Sequence, residues 1–163
     1  MNNSTLIFTS SWAIALPDNF KRVGISRGTP RRGPGGYRVY RALQPGKWWA
    51  DCASNEEFRQ RYMEILSKLN ARQVVDDLVR LADGKTPVLL CWEPPTPGND
   101  WCHRGLAAAW LSDELDLQVR EYGQEEHGFG WCHPKLPAEF RRQPSTATAS
   151  SANRQPRSAT RRA

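Results

Sequence analysis

A short apolar run, Pro87-Val88-Leu89-Leu90-Cys91-Trp92, lies between two stretches of helical period, and that setting restricts the fold more than any other feature. Its length and its Val/Leu content between a proline and a Pro/Gly-rich loop read as a buried strand over Thr86 to Trp92. Upstream, Ser54 with Glu57 three residues on forms a capping-box signature, and Phe58, Tyr62, Ile65, Leu66 and Leu69 recur at helical spacing. After Asn70 a second apolar set, Val74, Val75, Leu78, Val79 and Leu81, runs to Gly84, which suits a C-terminal cap; the pair is one kinked helix or two. Downstream, a helix is expected from about Cys102 to Leu115 with Leu106, Ala107, Trp110 and Leu111 facing inward. Leu117 to Tyr122 then alternates as a half-buried strand.

Two further strands are expected near the start, Thr5 to Thr9 and Arg22 to Ser26. Gly and Pro exclude a regular element from Arg27 to Gly36. The order β, β, α, α, β, α, β implies a small three-layer, Rossmann-like α/β domain with a largely parallel sheet. That single domain is expected to fill residues 1–137, with Trp131 anchoring its last irregular stretch. Residues 138–163 read as an Arg/Ser/Thr/Ala-rich tail. From Gln143 it holds no apolar side chain larger than Ala, so it is expected to be disordered.

Charge is distributed in blocks. Residues 19–50 carry eight basic side chains and no acid, residues 51–137 carry nine basic and fifteen acidic ones, and the tail adds six arginines against Glu139. Two basic segments flanking an acidic body suit a phosphate-bearing partner, a nucleotide or nucleic acid, because Lys and Arg gain affinity by releasing its counterions. A solvated loop and a solubilising tail are the plainer alternative. No run of about 18 apolar residues is present, so no membrane span is expected, and the first residues lack a signal-peptide pattern. A cytoplasmic, reducing location follows as an expectation, in which Cys52, Cys91, Cys102 and Cys132 stay free rather than form disulfides.

The chemistry concentrates where the apolar run ends. Cys91 and Glu93 close the strand, the loop Pro94 to Trp101 cannot continue it, and Cys102-His103-Arg104 open the next helix. Open α/β sheets bind ligands at strand carboxyl ends, where helix N-termini offer free N–H groups. Cys102, beside basic groups at a helix start, is a candidate nucleophile; Glu93 and His103 are candidate acid/base groups, and Cys91 is a second thiol or a structural one. Arg104 and Arg27 are candidate phosphate clamps, with Arg31, Arg32 and Ser10 as further binding residues. Their plainer alternative for Glu93 and Arg104 is a mutual salt bridge. A Cys-x5-Arg anion cradle is excluded, since Arg104 is two residues from Cys102. Cys91, Cys102, His103, Cys132 and His133 are enough soft ligands for zinc, but their spacing is not a zinc signature, so no metal or other cofactor is expected. Trp48, Trp49, Trp92 and Trp101 near the loops could stack on bases or anchor the loops.

With those residues in view, the chain resembles the bacterial, archaeal and phage family known as domain of unknown function 488. The family's hallmark is a strand ending Leu-Leu-Cys-x-Glu and a helix opened by Cys-His-Arg, here Leu89 to Glu93 and Cys102-His103-Arg104. The strand reaching Thr9-Ser10-Ser11 and the stretch Ile25 to Pro30 are also similar, so the likeness covers roughly residues 5–122. It implies an α/β fold and an enzyme whose Cys91, Glu93, Cys102, His103 and Arg104 share one pocket; it implies no particular reaction. The function expected from residues and resemblance together is an enzyme acting on a nucleobase, nucleotide or nucleic acid, with a glycosidic bond as one target. A non-catalytic nucleic-acid-binding module with structural cysteines is the alternative, and a zinc-stabilised interaction domain the third.

Overall fold

The computed structural model describes residues 4–96 and 100–144. Five strands form one sheet in which every pairing is parallel: β1 (Phe8–Ser11), β2 (Phe20–Gly24), β3 (Arg38–Val39), β4 (Thr86–Cys91) and β5 (Arg120–Glu121), in the order β3-β2-β4-β1-β5. The apolar run is the central strand, which is why it has no polar face. β1 and β2 each lie about two residues from their expected positions, and the two-residue edge strand β3, following a Gly/Pro loop, was not foreseen.

The three helices are α1 (Asn55–Ser67), α2 (Ala71–Ala82) and α3 (His103–Leu115). The expected capping box is formed: Ser54 Oγ accepts the Glu57 N–H, and Glu57 reaches back to the Ala53 N–H at 2.8 Å. The helical pair is two helices, because Asn70 leaves the helical conformation and its side chain accepts the Gln73 N–H. α2 ends on two left-handed residues, Asp83 and Gly84.

All three helices pack on one face of the sheet, against Ile7, Val23, Ile25 and Leu89. The opposite face carries Val88 and Leu90 and is covered by Trp12, with Phe8, Leu16, Phe20 and Tyr37 beside it. The third layer is therefore aromatic loop rather than helix. Parallel crossovers are right-handed, so the connections that run leftward through the sheet, β1 to β2 and β2 to β3, belong on that face. The first is short and the second is rich in Gly and Pro, so neither holds a helix, and large rings cover this face instead.

Helix α3 is buried from His103 through Leu111 without a break, more than the expected inward stripe. The reason lies at the far end of the chain, where residues 130–136 cover its outer side. The Cys102 N–H donates to the Lys135 carbonyl at 2.8 Å, and a Cβ on Gly105 would stand 2.7 Å from the backbone of Lys135 and Leu136. Trp131 anchors this segment as expected, packing on the core and donating Nε1–H to Asp113. Residues 138–144 are also held, Arg59 lying 4.5 Å over the Phe140 ring and Arg141 donating to the Pro134 carbonyl. The remainder of the expected tail is outside the described residues. Among those described, no helix is long and apolar enough to cross a membrane.

Gly105→Ala is expected to lower unfolding free energy by about 1–3 kcal/mol, since the clash is with backbone that cannot rotate away. Urea denaturation beside the unsubstituted chain measures it, and an unchanged midpoint would show that residues 133–136 do not bind this helix tightly.

Candidate active site

The carboxyl ends of β2 and β4 and the start of α3 enclose a cavity of about 340 Å³. Ser26, Arg27 and Gly28 come from beyond β2, Cys91, Trp92 and Glu93 from the end of β4, and Cys102 and His103 from the helix start. Trp49, Phe58 and Trp101 complete an aromatic lining, so three of the four loop tryptophans singled out in the sequence meet at one cavity. Trp49 and Trp92 are about half exposed, which places two large rings in reach of solvent at its edge.

Cys102 is the extended N-cap residue and His103 the first helical one; the turn in the backbone between them brings two adjacent side chains to the same side. Both sulfurs, of Cys91 and Cys102, lie 3.8 Å from His103 Nδ1, and the imidazole Nε2 faces the Ile25 carbonyl at 2.9 Å. A carbonyl only accepts, so Nε2 carries a proton and Nδ1 is the nitrogen turned to the thiols. Burial opposes ionisation of Cys102, but the Cys91 thiol hydrogen bond and the His103 and Arg104 charges together outweigh it and hold the Cys102 thiol well below its ordinary range. Cys91 moves the opposite way, because its proton is shared with Cys102 and because it is buried. His103 is raised: burial works against its charge, and the neighbouring Cys102 overcomes it. Glu93 is raised by burial and then by Cys102.

Arg104 departs from its expected role. Its guanidinium is wholly buried behind the cavity and lies on the carboxylate of Glu121, Nη2 to Oε1 at 2.8 Å and Nε to Oε2 at 3.1 Å. Nη2 also reaches the carbonyls of Glu93 and Pro94, which ties down the loop after β4. A group so engaged is a positioning residue, not a free phosphate clamp. The contact with Glu93 foreseen as a salt bridge is a longer one, 3.8 Å from Nη1 to Oε2, and both of those buried atoms are without a hydrogen-bond partner among the described residues.

Ser10 points away from the site. Successive side chains alternate across a strand, so Ser10 shares the aromatic face with Phe8, while Thr9 takes the helix face. There Thr9 Oγ1 donates to Glu121 Oε2 at 2.6 Å and stands 2.7 Å from His133 Nε2; His133 Nδ1 accepts the Lys135 N–H. Arg31 and Arg32 are exposed on the Gly/Pro loop and do not line the cavity, whereas Arg27 does and donates to the Pro45 carbonyl. Cys132 and His133 stand apart from the thiol cluster.

Glu121, Thr9, His133 and Lys135 were missed as site-supporting residues. The signal for Glu121 was available: it is in phase with Val119 on the alternating strand, and both are buried. Nothing in the local pattern marks His133 or Lys135. Their burial comes from the fold of the last segment over α3, where Lys135 Nζ donates to the Thr96 carbonyl at 3.0 Å.

Comparison of the chain with protein families, with curated proteins and with solved structures finds no match in any of the three. The class defined by coordinates alone is a parallel α/β domain with a thiol, imidazole and carboxyl cavity at its strand ends.

Breaking one side of a buried ion pair leaves the other charge uncompensated, so Glu121→Gln is expected to cost about 3–5 kcal/mol in urea denaturation. A loss under 1 kcal/mol would show that Arg104 finds solvent or another partner. Burial first, and then Arg104, lowers His133 to about 3. The folded chain thus keeps His133 neutral while the unfolded chain takes up its proton near pH 6.5, and stability is lost as pH falls. Relative to a His133→Gln variant, the natural chain should lose about 1.4 kcal/mol per pH unit between pH 6 and 4. Parallel stability profiles for the two would contradict this.

Proposed function

We propose that this protein is an enzyme that takes a base of a nucleotide or nucleic acid into the strand-end cavity and acts on it there. The observation that carries the reading is the composition of one cavity: aromatic rings of Trp49, Phe58, Trp92 and Trp101 beside Cys91, Glu93, Cys102 and His103. Its volume falls in the range of small-molecule sites, about 300–1,000 Å³. Half-exposed tryptophans offer stacking surfaces that any base can use, each stacked base being worth about 1–3 kcal/mol. Arg27, Arg31, Arg32, Arg38, Arg41 and Lys47 are exposed on the segments that lead into this cavity, and they supply charge for a phosphate backbone. Glu93 lines the cavity, its buried Oε2 is without a partner among the described residues, and it is the group assigned to move a proton; the bond attacked is one to the base, a glycosidic bond included.

We also propose membership of the domain of unknown function 488 family. The five residues that carry the likeness, Cys91, Glu93, Cys102, His103 and Arg104, adjoin one another at this corner of the fold, four bordering the cavity and Arg104 directly behind.

The experiment is binding of the full chain to labelled single- and double-stranded DNA and RNA over a salt series, with the nucleic acid analysed by mass spectrometry. Binding is expected to weaken with salt, and Arg31→Ala with Arg32→Ala to reduce the logarithmic salt slope by about 2. Glu93→Gln should retain binding and lose a covalent mass change by about 100-fold or more. Binding with no mass change would leave a non-catalytic nucleic-acid module, and no binding to any form would overturn the reading.

A further inference from the structure

We propose that Cys91, Cys102 and His103 are the three protein ligands of a zinc ion whose fourth position opens to the cavity. Among the described residues these three form the group of thiol, imidazole and carboxylate side chains close enough to share an ion, every pair of ligand atoms being within 4.8 Å. The distances match a tetrahedral centre. Zinc bonds of about 2.3 Å to sulfur and 2.0 Å to nitrogen place a sulfur and a nitrogen ligand roughly 3.6 Å apart and two sulfurs roughly 3.8 Å apart. Here each sulfur is 3.8 Å from Nδ1, so an ion fits with movements of a few tenths of an ångström.

The surroundings are those a ligand set needs. The Nε2–H donated to the Ile25 carbonyl fixes the imidazole plane and leaves Nδ1 as the binding nitrogen, the usual outer contact of a metal-bound histidine. The Cys102 sulfur also accepts from the Arg104 N–H at the helix start, which favours its anionic, ligating form. Two thiolates and one imidazole are a soft set that selects zinc over magnesium or calcium. Cys102 and His103 are adjacent in sequence, a spacing outside the usual zinc signatures, but the N-cap geometry brings both side chains to the same side.

Three ligands leave a position for water, and two buried polar atoms without a partner among the described residues belong to the neighbouring side chains: Glu93 Oε2 and Arg104 Nη1. Glu93 lines the same cavity as the two thiols and His103 yet lies outside the set of three, so it serves as the proton acceptor rather than the fourth ligand. In the reaction this site suits, Glu93 takes a proton from the water, whose oxygen bonds to a carbon of the substrate. The carbon–nitrogen bond at that carbon breaks, and the leaving nitrogen takes the proton from Glu93, completing a hydrolysis. The bond is either the glycosidic bond or one to an exocyclic amine. This reaction rests on the reading that a base fills the cavity; the metal site does not.

The test is metal content of the full chain after equilibration with zinc alone, together with the visible spectrum of the cobalt-substituted protein. About one zinc per chain and the thiolate-to-cobalt and intense visible bands of a tetrahedral site are expected. Cys102→Ser and His103→Ala should each weaken zinc at least about tenfold, whereas Cys132→Ser and Glu93→Gln should retain it. Should the ligand variants fail to fold, the cobalt spectrum and stoichiometry of the natural chain decide the matter. Less than a tenth of an equivalent of zinc, or Cys91 and Cys102 equally open to a thiol reagent with and without zinc, would overturn the site. Nucleic-acid modification by zinc-free protein would overturn the hydrolysis assigned to the metal-bound water while leaving the proposed function standing. Zinc bound without any nucleic-acid binding would sink the proposed function and keep the metal site.

Discussion

Arg104 is the second residue of α3, and its wholly buried guanidinium lies on the equally buried carboxylate of Glu121. Taking each charge out of water costs several kcal/mol, and the pair offsets this only because its remaining hydrogen-bonding capacity is largely met. Thr9 donates to Glu121 from the middle of the sheet, His133 stands on Thr9 from the last segment, and the carbonyls of Glu93 and Pro94 accept from Arg104. One ion pair thereby joins β1, β5, the start of α3, the loop after β4 and the C-terminal segment. Against an apolar pair of the same volume such an arrangement adds little net stability. Its consequence is positional: it fixes where α3 begins, and Cys102 and His103 are the residues at that beginning.

The first turn of α3 has two sides with different work. Arg104 turns toward the sheet and holds the framework, while Cys102 and His103 turn to Cys91 and to the cavity. Gly105 then lets the Lys135 and Leu136 backbone approach closely enough to seal the helix from outside. The thiols line the cavity together with Trp49 and Trp92, which are the two exposed tryptophans. The arrangement keeps sulfur, carboxyl and imidazole groups together in a corner lined by aromatic rings and approached by basic segments.

The central strand, both long helical patterns, the capping box at Ser54 and the gathering place of Cys91, Glu93, Cys102 and His103 were legible because each rests on local periodicity or on residues at the ends of recognisable elements. Errors came where phase or distant packing decides. Ser10 and Thr9 differ by one position, which in a strand is a change of face, and Thr9 is the one that reaches Glu121. Arg104 is adjacent to site residues in sequence, but a helix turns about 100° per residue, and that rotation carries its charge into the interior.

By itself the sequence determined the element types, the parallel α/β class and the chemical identity of the strand-end groups, since these follow from short-range period, capping and composition. Only the tertiary structure decided that an aromatic loop layer covers one face, that Glu121 rather than a ligand meets Arg104, and that residues 130–136 close over α3. It also decided that Cys91, eleven residues from Cys102, stands with that residue and His103 at ligand distance. The physical reason is range. Burial of a charge and convergence of side chains from different elements depend on contacts between residues far apart in the chain, which no window of local pattern contains.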